Sequence, residues 1–229
     1  MARRKPHRIR VPQVRPTRQP RSAATVRRIA EATMRLLATK DFASITVDEI
    51  VHFAKTSKGS FYFRFATKAH LLRYLAEETF TELSRESRGF FLAEETRKLT
   101  LAGFLEAFID LVATAYAERR NLLRAFLEEA RPGGDEVVVT LVRAGSAESA
   151  RMLLDALWER RNEIKHPNAA VAISTTAIVL GVTLRNTFLY PEQVSTLPGI
   201  TDEQLRVELK HMLWGYLHPR GARKVSRNG

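Results

Sequence analysis

SITVDEIVHFAKTSKGSFYFRFATK, residues 44–68, carries the densest structural information in this chain. Thr46 followed by Glu49 is the reciprocal arrangement in which each side chain satisfies a backbone donor of a helix's first turn. A short helix therefore starts after Thr46, and Val47, Ile50, Val51 and Ala54 recur at helical spacing to give it an inward face. Lys55 and Thr56 make a turn, and Ser57 caps a second helix that holds Lys58, Gly59, Ser60, Phe61, Tyr62 and Phe63. So short a helix does not persist alone. Packing must hold it, and Phe61 and Phe65 are its natural anchors.

The other face of that second helix offers a cation, a hydroxyl and a phenol from Lys58, Ser60, Tyr62 and Arg64, beside Gly59, whose missing side chain permits close backbone approach. Thr67 caps the next helix and Lys68 stands in its first turn, where a cation opposes the helix dipole. Stability is then a poor reason for that lysine, and a bound phosphate is a better one.

Residues 26–75 as a whole resemble the DNA-binding segment of the TetR family of transcriptional regulators, in which T-V-x-x-I-A-x-x-A-G-V-S-K-G-T-L-Y-x-x-F-x-x-K-x-x-L is usual. Turn, caps, aromatics and lysine recur in register. The resemblance implies that Lys58, Gly59, Ser60, Tyr62 and Phe63 face DNA while Thr46, Tyr62 and Lys68 hold phosphates. Two positions depart from the pattern. Lys55 stands where glycine is usual, which costs about 1 kcal/mol if the turn needs a left-handed backbone. Ala66 replaces a frequent proline or lysine.

The chain has 229 residues, 45% of them apolar, enough for one large or two modest domains with a real core. It has no cysteine, which excludes disulfides, thiolate zinc sites and cysteine nucleophiles and is compatible with a reducing cytoplasm. The net charge of +12 is unevenly placed. Residues 1–28 hold ten Arg and Lys and no acid, residues 218–229 hold four more and no acid, and the body between them sums to −2. A near-neutral body with two cationic ends fits a polyanionic partner. The basic N-terminus is followed by no apolar run and does not read as a secretory signal.

In chain order, residues 1–23 mix arginine with four prolines and read as a disordered basic arm, either laid along DNA or simply solvated. Residues 24–70 form the helix-turn-helix unit. Its first helix, from Ala24 to about Thr39, carries a stripe of Val26, Ile29, Ala30, Thr33, Leu36 and Leu37, and Phe42 plugs the small core. Thr67 opens a long helix striped by Leu71, Leu72, Leu75, Thr79 and Leu83, a lever between the two parts of the chain. Residues 71–217 read as a helical bundle. Leu101–Glu118 and Asn121–Ala130 are helices; EVVVTLV at 136–142 has strand composition, yet no second strand exists to pair with it, so it opens a helix reaching to about Glu163.

Ala169–Tyr190 is apolar nearly all round with Arg185 its only charge, so it must be covered on most sides. Its uncharged run of 16 residues contains four Ser and Thr and falls short of the roughly 20 that a membrane span needs. Burial between subunits is favoured over a membrane, with Ala177 and Gly181 allowing close helix approach. Thr201 with Gln204 opens a last helix striped by Leu205, Leu209, Met212, Leu213 and Tyr216, before a basic tail at 218–229. The family resemblance implies that 169–190 and 201–217 form a homodimer interface.

The six histidines make no metal-ligand pattern, and no nucleophile elbow or phosphate loop occurs, so no catalytic residue, metal or cofactor is expected. Phe104, Phe108, Tyr116, Phe126 and Trp158 are candidates to line a small-molecule cavity, as the resemblance implies, or to be plain core. The expected architecture is all-α, an N-terminal helix-turn-helix followed by a ligand-binding and dimerisation bundle. The expected function is a cytoplasmic, dimeric regulator, a repressor released by a small-molecule effector from a roughly palindromic operator in double-stranded DNA. Two other classes compete: a non-specific binder of RNA or anionic lipid acting through the basic arms, and a helical enzyme with a vestigial DNA unit.

Overall fold

The computed structural model describes residues 20–194 and 199–219, and every regular element among them is a helix. The arm expected over 1–23, apart from a helical start at Pro20, and the tail beyond Pro219 lie outside the described residues. The chain divides into two compact units, with the boundary between Leu72 and Arg73.

The first unit comprises α1 (Pro20–Leu37), a 3-10 turn at Phe42–Ser44, α2 (Val47–Phe53), α3 (Lys58–Arg64) and the opening of α4 (Lys68–Leu92). The capping box forms as its sequence dictates: Thr46 Oγ1 accepts from the Glu49 backbone N–H at 3.2 Å, and Glu49 Oε2 accepts from the Thr46 backbone N–H at 2.8 Å. Ile29, Ile50, Phe61 and Phe65 are almost fully buried, so the apolar faces of α1, α2 and α3 converge on one small core. Phe42 closes it. The 3-10 turn, which periodicity does not announce, is what aims that ring inward.

The turn between α2 and α3 passes through Lys55 at φ 48°, the left-handed conformation that the departure from glycine made a concern. A non-glycine residue pays for its Cβ there. Lys55→Gly is expected to stabilise the unit by about 1 kcal/mol in chemical denaturation.

The second unit holds the rest of α4, α5 (Glu94–Lys98), α6 (Leu101–Glu118), α7 (Arg120–Glu129), α8 (Glu136–Glu159), α9 (Ala169–Leu189), α10 (Pro191–Val194) and α11 (Asp202–Leu217). The strand-like valines do start a helix. Asp135 caps it, accepting from the Val137 and Val138 backbone N–H groups at 2.9 and 3.2 Å, and Val138 is fully buried. Thr100, Asn168 and the Thr201–Gln204 box start α6, α9 and α11 in the same manner.

α9 is the axis of this unit, packed by α6, α7, α8 and α11 around Phe104, Ile109, Leu157, Leu180 and Leu213. Among the described residues it is the helix long and apolar enough to cross a membrane by length and composition. It is nevertheless not covered on all sides, since Val171, Ile178 and Val182 remain exposed. Gly181 has nothing within 4 Å of where a Cβ would stand, so within one chain it serves no close helix approach.

In α11 the inward stripe runs Leu209, Leu213, Leu217, one turn apart, which shifts its centre away from Met212. Met212 is 55% exposed, against the expectation that it faces inward, and Val207 and Trp214 of the same helix are exposed as well. Gly145 of α8 permits the close approach of α4, because a Cβ there would lie 2.9 Å from the Phe80 ring.

Candidate functional site

The capped pair α2 and α3 presents a surface whose side chains divide into those already engaged and those left open. Thr46 and Ser57 are engaged as caps: the Ser57 hydroxyl accepts from the Ser60 backbone N–H at 3.1 Å. Glu49, held by Lys40 and by Thr46, has its carboxyl pulled from 4.5 down to about 2, first by the Lys40 hydrogen bond. Arg64 turns back along its own helix, its Nη1 donating to the Ser60 carbonyl at 2.7 Å and to Ser60 Oγ at 2.8 Å. Ser60 and Arg64, both expected on the open face, are thus half-buried and tied to each other. The cause is their i, i+4 spacing.

Lys68 occupies a different position from the one expected. Its ammonium donates to the carbonyls of Phe42, Ala43 and Ile45 at 2.8, 3.1 and 2.8 Å and lies 4.7 Å from the centre of the Phe42 ring. All three N–H bonds of the ammonium are therefore used. Burial lowers its pKa, with the Glu49 charge acting the other way. The lysine binds the 3-10 turn to the start of α4, and it does so because so short a turn leaves carbonyls at its end with spare accepting capacity, that of Phe42 already taking the Ile45 N–H at 3.3 Å.

What stays open is one continuous face of α3. Lys58, Gly59, Tyr62 and Phe63 are exposed, Tyr62 by 51% and Phe63 by 70%. Lys58 pairs with Asp48 of α2 at 2.7 Å, a fully solvated contact that raises the lysine's pKa and that an anion can displace. Phe53, at the end of α2 and 54% exposed, adds an aromatic that the sequence reading missed. The signal was available, since Phe53 falls off the inward face set by Ile50 and Ala54. Two phenylalanines and a tyrosine left in water within one unit call for a partner.

The second unit contains a cavity of about 1110 Å3 walled by α4, α6, α7, α8 and α9. Phe108, Tyr116 and Phe126 line it as expected. Phe104 and Trp158 do not. Phe104 is fully buried in the core under the Arg160 guanidinium, 4.4 Å from its ring, and Trp158 faces outward against Arg161. Arg160 itself went unnoticed in the sequence; it donates to the carbonyls of Thr96, Leu99 and Ala156 at 2.6, 3.0 and 2.8 Å and fastens α5 to the end of α8. On the cavity wall Arg88 pairs with Glu148 at 2.6 Å, Ser84 donates to the same carboxylate at 2.9 Å, and the arginine holds that carboxyl below its usual range. Burial pushes the Tyr116 phenol upward, an effect that the positive charge of Arg185 reduces.

Residues 29–75 match the family described as bacterial regulatory proteins, tetR family. A comparison with curated proteins gives no match. Among solved structures the chain is similar to GusR of Salmonella enterica, at 18% identity and TM-score 0.57 over 85% of this chain and 95% of that one. It is similar to a tetR-family transcriptional regulator from Streptomyces coelicolor, at 15% identity and TM-score 0.62 over 85% and 80%. It is similar also to FadR of Bacillus subtilis, solved in complex with stearoyl-CoA, at 17% identity and TM-score 0.57 over 85% and 99%. Identities this low speak for the fold, and the N-terminal match speaks for the helix-turn-helix. Residues 29–75 thus match the tetR-family helix-turn-helix segment, and the chain shares its fold over most of its length with solved structures that include a tetR-family transcriptional regulator.

Proposed function

We propose that the protein is a dimeric, sequence-specific DNA-binding repressor that a small molecule releases from its operator. The observation that supports this most directly is the uncovered face of α3, where Lys58, Gly59, Tyr62 and Phe63 stand together on a helix rigidly capped by Ser57 and anchored by Phe61. A helix of this size fits the major groove, with its open side chains at base edges and phosphates. Thr46 and Tyr62 remain assigned to phosphates, while Lys68 acts by shaping the unit.

The homodimer forms through α9 and α11. Val171 at the start of α9 and Val207, Met212 and Trp214 of α11 are exposed large apolar side chains that lie off the cavity wall, whereas the exposed Ile178 and Val182 of α9 border the cavity. Two-fold symmetry in the protein then calls for a roughly palindromic operator. The cavity takes the effector; that FadR of Bacillus subtilis was solved with stearoyl-CoA supports reading a cavity in this fold as a ligand site. Such a ligand moves the equilibrium only as far as its affinities for the bound and released geometries differ.

Selection from random duplex DNA tests the reading. The full chain is expected to enrich one palindromic sequence, and a chain lacking residues 1–22 is expected to bind that sequence more weakly but still selectively, with a shallower dependence on salt. Loss of all binding on that deletion would assign the activity to the basic arm instead. Turnover of a substrate without any enriched sequence would assign the chain to catalysis.

A further inference from the structure

The charges on the cavity wall do not balance. Its two acids are already neutralised, Glu148 by Arg88 at 2.6 Å and Glu86 by Arg119 at 2.8 Å. Arg85 and Arg185 also stand on the wall, and among the described residues neither has an ion-pair or hydrogen-bond partner. The charge left for a ligand to meet is therefore positive.

Arg185 is the more informative of the two because of where it stands. It is the single charge of an otherwise apolar helix, on the stripe of α9 that faces the cavity together with Ser174, Ile178 and Val182. It is exposed, so it lies at the mouth, and it acts electrostatically on Tyr116, whose hydroxyl has no hydrogen-bond partner among the described residues. A guanidinium fork and a phenol O–H are both donors, and a carboxylate has the lone pairs to receive them together. Deeper in, the wall is aromatic and aliphatic, from Phe91, Phe108, Phe126 and Leu153.

We propose that the ligand of this cavity is an amphipathic anion: a carboxylate on a hydrocarbon body, its headgroup held by Arg185 and Tyr116 and its body lying along Phe91, Phe108, Phe126 and Leu153. This rests on the reading of the cavity as the effector site. A neutral amphiphile of the same length fills the apolar wall but leaves the arginine without a counter-ion. A cationic one meets like charge.

Calorimetry on the full chain without DNA, with decanoate, decanol and decyltrimethylammonium as probes, tests the proposal. Decanoate is expected to bind at least about tenfold more tightly than decanol, as a charge-assisted hydrogen bond gives, and decyltrimethylammonium least of all. Affinity in the carboxylate series rises about fourfold per added methylene until the cavity is filled. Arg185→Gln, at an exposed position that the fold does not depend on, is expected to remove the preference for decanoate while leaving decanol unchanged, and Tyr116→Phe to reduce it severalfold. Equal binding of acid and alcohol, tighter binding of the cation, no binding of any probe, or an Arg185→Gln variant that keeps the preference would each overturn the proposal. Operator affinity measured with and without decanoate separates the two readings. If decanoate binds and operator affinity does not move, the effector role fails and the ligand class stands; if the operator is bound and decanoate is not, the reverse holds.

Discussion

Replacing Lys68 by Met is expected to destabilise the N-terminal unit by about 2 kcal/mol in the complete absence of DNA. The two roles open to this lysine predict opposite signs, which makes the measurement decisive. A lysine present only to hold phosphate sits unfavourably at the start of α4, where the helix dipole is positive, and removing its charge should stabilise the free protein by about 0.3–1 kcal/mol. A lysine that satisfies the carbonyls of Phe42, Ala43 and Ile45 leaves them short of partners when it goes. A hydrogen bond from a charged donor is worth about 1.5–3 kcal/mol, and three of them, discounted for the partial exposure of the ammonium, set the figure. Methionine keeps the apolar stem and its contact with the Phe42 ring, so that the loss reports the ammonium. Chemical denaturation checks the sign. Amide exchange at Ile45 and Thr46 localises the effect, since these residues lie in the segment the lysine holds. DNA affinity is expected to fall alongside, uniformly over sequences, because a loosened 3-10 turn shifts the cap of α2; a variant with undiminished stability and weakened DNA binding would return Lys68 to the phosphate.

That case shows where sequence reasoning loses its grip. Local chemistry was legible: Thr46 with Glu49, Ser57, Thr201 with Gln204 and the strain at Lys55 all follow from spacings of three residues or from one backbone angle. The helical fate of EVVVTLV was legible too, since the absence of a second strand overrode its composition. The partners of Lys68 were not, because the carbonyls it meets lie more than twenty residues earlier and belong to a turn of three residues that leaves no periodic trace. The same holds for Arg160, whose guanidinium reaches the Thr96 and Leu99 carbonyls from the far end of α8. Aromatic residues carried the opposite difficulty. Phe104 and Phe108 stand one turn apart on α6 and look alike as text, yet only the second reaches the cavity, since which flank of a helix faces a void depends on what packs against the other. Arg185 was visible as the single charge in an apolar helix, but its meaning required knowing which acids on the facing helices were already paired.

Gly59→Leu is expected to leave the free protein as stable as before, or more stable by about 0.5 kcal/mol, and to weaken operator binding by about 2 kcal/mol, roughly thirtyfold. Nothing inside the protein asks for glycine at this position: a Cβ here would have Ser57 Oγ as its nearest neighbour, at 3.9 Å, and no left-handed backbone angle is involved. In a short helix that already depends on its cap, a residue with no side chain costs stability and returns none from packing. Such a cost is explained by an external surface that must come close to the backbone of α3, and the floor of the major groove is that surface in the present reading. Gly59→Ala, with one carbon, should show the same pattern several times smaller. Since no phosphate contact is removed, the salt dependence of binding should keep its slope while the whole curve moves to weaker affinity. Should Gly59→Leu bind the selected operator as tightly as the parent chain, the open face of α3 is not the reading surface, and the exposed Tyr62 and Phe63 would need another partner.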